Sequence, residues 1–82
     1  MAKLIGEPVR AHADQDSVLT AFIWRKRLYR VVEVLSWWRE PADWWNEKAV
    51  RFFVRVTARN ASEGTYELCQ IGESWFLQRV LD

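Results

Sequence analysis

No stretch of this chain repeats apolar residues at i, i+3, i+4 and i+7 for long enough to make an amphipathic helix. Val, Ile, Leu, Phe, Tyr and Trp gather instead in strand-length segments cut by short polar turns. That pattern confines the chain to β structure. It predicts six strands, at Glu7–Asp14, Val18–Arg25, Leu28–Arg39, Val50–Arg59, Thr65–Ile71 and Trp75–Leu81. Asp14-Gln15-Asp16-Ser17 is a polar turn whose side chains bond their own backbone. Gly72-Glu73 suits a type II′ hairpin, with glycine supplying the positive φ. Asn60-Ala61-Ser62-Glu63-Gly64 is a longer loop with glycine available for a left-handed residue. At Lys26-Arg27 neither residue favours positive φ, yet strands on both flanks require a hairpin.

Six antiparallel strands in 82 residues most simply form a meander, closed into a small, partly open barrel. The fold expected is thus all-β and a single domain over 1–82, with at most one short helical turn. That turn would fall in the interruption Arg39–Lys48, where Pro41 should end the third strand because it cannot donate to a ladder. Alternation puts Phe52, Val54 and Val56 on one side of their strand and Arg51, Phe53, Arg55 and Thr57 on the other. Phe52, Val54, Val56, Tyr66, Leu68 and Leu77 are the expected core.

The aromatic content strains so small a core. Six of the residues are Trp, with four Phe and two Tyr. Each large ring can bury about 150–250 Å², while a chain this short buries only about 60–65% of its unfolded surface. Some indoles should therefore lie at a surface that packs on something else. The net charge of +1 argues for no polyanionic partner by itself. One cysteine, Cys69, excludes a disulfide framework within the chain and fits a reducing compartment. No apolar run approaches the ~18 residues of a membrane helix, and the first residues do not read as a signal peptide. A cytoplasmic protein without membrane association is expected.

The inventory for catalysis is thin. His12 is the lone histidine, and nothing local sets it beside Cys69 or a serine as a nucleophile–base pair. The glycines, Gly6, Gly64 and Gly72, are too scattered for a phosphate loop. No carboxylates fall at metal-ligand spacing. The expectation is a binding protein rather than an enzyme, without cofactor or metal.

Two clusters remain. Arg25-Lys26-Arg27 with Arg30 places four cations around a hairpin tip beside Trp24 and Tyr29, a combination that suits phosphate contact with base stacking. A charge run is more ordinarily a solvated turn. The second cluster is the pair of doublets Trp37-Trp38 and Trp44-Trp45 around Pro41. Adjacent strand residues point to opposite faces, so one core cannot take both rings of a doublet. Trp38, Trp44 and Trp45, bordered by Arg39, Arg51 and Arg55, are the expected contact surface. The equally weighted alternative is a lid of indoles over the barrel's open end.

The order of several short motifs adds a resemblance. Phe22-Ile23-Trp24-Arg25, Tyr29-Arg30-Val31-Val32, Trp38-Arg39, Trp44-Trp45, Phe53-Val54-Arg55-Val56, Tyr66-Glu67-Leu68 and Trp75-Phe76-Leu77 through Val80 to Asp82 together resemble a bacterial family of short proteins classed as a domain of unknown function. The match runs from Gly6-Glu7-Pro8 to Asp82. A similar segment ends some ImuB-like proteins, relatives of Y-family DNA polymerases that serve in damage-induced mutagenesis. The chain departs from the family pattern at Lys26, where glycine is common, and at Cys69 and Leu81, where aromatics are frequent. The resemblance implies a link to DNA repair or translesion synthesis and transfers no catalytic residue. The expected function is an accessory module that binds single-stranded nucleic acid or a DNA-processing protein. The alternatives are a protein–protein or homo-oligomeric module without nucleic-acid affinity and, third, an apolar small-molecule site lined by tryptophan.

Overall fold

The computed structural model describes residues 3–16, 18–43 and 46–81, with side chains described for 4–16, 18–40 and 50–81. Six strands follow the chain in order: β1 (Lys3–Ala13), β2 (Leu19–Trp24), β3 (Arg27–Asp43), β4 (Asn46–Arg59), β5 (Glu63–Ile71) and β6 (Ser74–Leu81). Each pairs antiparallel with its sequence neighbours, and β1 pairs with β6, from Lys3↔Val80 to Val9↔Trp75. The barrel is therefore closed. Among the described residues there is no helix, and so none long and apolar enough to cross a membrane.

Alternation fills the interior as the sequence implies. Phe22, Val56, Leu68 and Leu77 are fully buried, with Leu19 and Ala58 beside them and Val54, Tyr66, Trp75 and Val80 packed around. Phe22 lies opposite Tyr29 in the β2–β3 ladder, their rings stacked at 5.1 Å. Tyr66 meets both rings edge-on, at 5.7 and 5.4 Å. Offset and edge-to-face packing of this kind adds to the area term. Gly64 leaves room for the Tyr66 ring: a Cβ there would stand 3.2 Å from its hydroxyl. It sits in the β5 ladder opposite Ala58 rather than in the left-handed conformation expected for it. Gly6 does take positive φ (67°), at a bulge where Ile5 and Gly6 oppose a single β6 residue, Gln78.

The seam between β2 and β3 is short. It runs from Trp24↔Arg27 to Ala21↔Arg30, and from Val31 onward β3 pairs with β4 alone. Beyond Glu40↔Arg51 β4 also leaves β5, and the two strands continue as a projecting two-stranded arm. Pro41 corrects an expectation here. It lies within β3, opposite Val50, and the segment thought to interrupt the β pattern is ladder up to Asp43↔Asn46. A strand with one neighbour has one open side, and a residue without N–H is tolerated where that side faces solvent. Pro8 sits in the same kind of place, opposite Phe76 but ahead of the first β1–β2 pair at Arg10↔Ile23.

Phe52 is the second correction. It has the inward parity of Val54 and Val56 but lies past the short seam, where no strand closes over it, and is 38% exposed. Phe53, outward by alternation, is buried instead.

Candidate binding surfaces

The basic and aromatic clusters fall at opposite ends of β3. Arg27 opens the strand and Asp43 closes it, so the structure does not join Arg25, Lys26, Arg27 and Arg30 with Trp37 and Trp38 in one site. Trp44 and Trp45 lie outside the described residues.

At the first end, Arg25 and Lys26 form a two-residue hairpin turn, both with positive φ (52° and 66°). This is the geometry that asparagine and glycine normally supply. For residues with a Cβ the left-handed region costs roughly 1–2 kcal/mol each. Arg25 is held in it by side-chain contacts. Its Nε and Nη2 donate to the two carboxylate oxygens of Glu7 at 3.1 and 2.6 Å, and its guanidinium stacks 4.6 Å from the Trp24 ring. Trp24 Nε1–H also donates to Glu7, at 3.0 Å. These hydrogen bonds, Arg25's first, hold the Glu7 pKa below its ordinary value. Arg25 is thus engaged within the chain. Lys26, Arg27 and Arg30 are exposed.

Toward the other end, the Trp37-Trp38 doublet divides as alternation requires. Trp38 is half-buried on the outer wall, its ring stacked 5.4 Å from Phe53, with the Arg55 guanidinium 5.6 Å over it. Its Nε1–H reaches Glu40 at 3.4 Å. Arg55 continues to Glu67 at 3.0 Å, and Arg79 reaches the other oxygen of Glu67 at 3.7 Å. Glu67 is only 4% exposed, so long side chains from β3, β4 and β6 cover an outer-wall carboxylate. Cys69 lies in the same wall opposite Phe53, buried, and burial raises its thiol pKa. Arg51 is half-buried there, opposite Ile71.

Trp37 faces the other way and is 64% exposed. Its ring stacks 5.9 Å from Phe52, and Arg39 lies 5.8 Å over Phe52 from the same side. Val32, Val34, Leu35 and Val50 are also exposed along β3 and β4, and Ile71 is exposed at the end of β5. Sequence reading singled out Trp38 and missed Trp37 and Phe52. The split of the doublet was legible, but which ring turns inward depends on where the barrel ends.

Arg59 was missed as well. Register places it directly opposite Arg30 on the outer wall. A shallow depression of about 530 Å³ lies there, lined by Leu28, Arg30, Val32, Arg59, Asn60 and Ala61. His12 is exposed on β1, and among the described residues no cluster of His, Cys, Asp and Glu could hold a metal ion.

Fold and surfaces together define a small six-stranded meander barrel with one overlong hairpin. The chain belongs to the family DUF6504, a domain of unknown function, whose family model matches residues 1–82. No curated protein and no solved structure matches it.

Proposed function

We propose that the protein is a non-catalytic accessory module that docks on a partner protein through the β3–β4 hairpin. The single observation that carries this reading is Trp37, 64% exposed and stacked on a half-covered Phe52 at the root of the arm. Two rigid rings held together by the fold lose little entropy when a partner covers them, which is how interface hot spots are built. The surround favours protein over a polyanion. Val34 and Val50, on the same side as Trp37 and Phe52, are apolar and exposed, with Arg39 beside them. The resemblance to the closing segment of ImuB-like proteins supports a partner from DNA repair or translesion synthesis.

The test is a titration with a purified ImuB-like polymerase relative, followed by backbone amide shifts. Shifts should concentrate on 34–39 and 50–54, and Trp37→Ala should weaken binding by about 2 kcal/mol, roughly thirtyfold. Shifts elsewhere, or none, would remove this reading. A wild-type dimer in sedimentation that Trp37→Ala turns into a monomer would instead make the occupant a second copy of the chain.

A further inference from the structure

We propose that Arg30 and Arg59 clamp one backbone phosphate of a single-stranded nucleic acid, at a site apart from the arm and independent of the docking reading. The two arginines are directly opposed across the β3–β4 ladder, an arrangement that destabilises a sheet unless something neutralises it. Both are exposed, and neither forms an ion pair among the described residues. The adjacent carboxylates make no contact ion pair with the two arginines. Glu63 stands opposite Arg59 on β5 and Glu33 follows on β3, and neither forms an ion pair there.

The depression between them is preformed. Asn60 Nδ2 donates to the Leu28 carbonyl at 2.9 Å while its Oδ1 accepts from the Ala61 amide at 2.6 Å, tying the β4–β5 loop to the start of β3. Guanidinium forks from two sides match the oxygens of a phosphate, as a pair of ammonium groups would not. Leu28 and Val32, both exposed, flank the pair with apolar surface. A sugar or an unstacked base can lie there, whereas a duplex would present only its phosphates.

A labelled oligothymidylate titrated at several salt concentrations tests the site. Arg30→Gln and Arg59→Gln should each weaken binding at low salt by roughly tenfold, the scale of a charge-assisted hydrogen bond. Each single variant leaves the other arginine on the phosphate and should flatten the slope of log affinity against log salt by well under about 0.7, the value for one single-strand phosphate. The double variant should flatten it by about 0.7, because both side chains hold the same phosphate. Arg10→Gln, an exposed cation elsewhere on the barrel, is the control. A loss no larger than that control's would overturn the proposal, as would a double variant that flattens the slope by about 1.4, the value for two separate phosphates. Thymidine monophosphate binding as tightly as the oligomer would also overturn it, since the ligand would then be a free phosphate ester. The unliganded variants should melt no lower than wild type, which separates lost binding from lost fold.

Discussion

β3 begins and ends in hairpins of opposite character. At its start, two residues turn the chain in strained backbone, and Glu7, Trp24 and Arg25 bind one another there. Further along, the strand runs past the barrel and leaves the Trp37–Phe52 ring pair uncovered. A polar side chain close to a hairpin is therefore poor guidance to what the hairpin does. Arg25, the most obvious cation for a ligand, is occupied in shaping the turn. Trp37, next to a ring that is half-buried, is the one left exposed.

The comparison breaks most completely if the packing beneath the tight hairpin is removed. Phe22→Ala should cost about 3–5 kcal/mol in denaturant unfolding, because it empties a fully buried site and removes one ring contact from each tyrosine. A loss below about 1 kcal/mol would mean the three rings are not the centre of the core. Lys26→Gly should act the other way. It relieves a left-handed residue whose side chain makes no ion pair among the described residues, and should raise stability by roughly 1 kcal/mol. Arg25→Gly should not share that gain, since it also removes the Glu7 pair.

Acid sharpens the same point. The Glu7 pKa is lowered in the fold, so its contribution is fully present above the unfolded carboxylate value of 4.5 and is lost as pH falls through the lower folded value. The melting midpoint should decline below that pH, and Glu7→Gln should remove part of the decline. A profile unchanged by the substitution would show that the pair does not hold the turn. The smallest expected effect belongs to the arm: Trp37→Ala should change unfolding free energy by no more than about 0.5 kcal/mol, as exposed positions do. A larger loss would make Trp37 part of the barrel's packing and weaken its assignment to a partner.

Strand count, chain order and the inward parity of Val54, Val56, Tyr66 and Leu68 were legible because alternation and turn chemistry are local. The extent of the barrel was not. Phe52 reads like Val54 until one knows that β2 leaves β3 at Arg30, a fact set by pairing between distant segments. Pro41 misled for a related reason: its effect depends on whether a second strand lies alongside. The Arg30–Arg59 pair was hidden by separation along the chain and by three shifts of the β3–β4 register, at Val31/Glu33, Val34/Ser36 and Pro41/Asp43. The Arg25-Lys26 turn could be expected only as a hairpin, since its strain is held by Glu7, from another strand.

The β1–β6 closure has a consequence for how the chain reaches this structure. Every other ladder joins sequence neighbours and can zip from a turn, whereas this one joins segments from opposite ends of the chain. The entropy of bringing such segments together is smallest once the intervening hairpins have shortened the path between them. Closure should then be a late folding event. Substitutions confined to that ladder, such as Val9→Ala, should mainly speed unfolding and leave the refolding rate nearly unchanged.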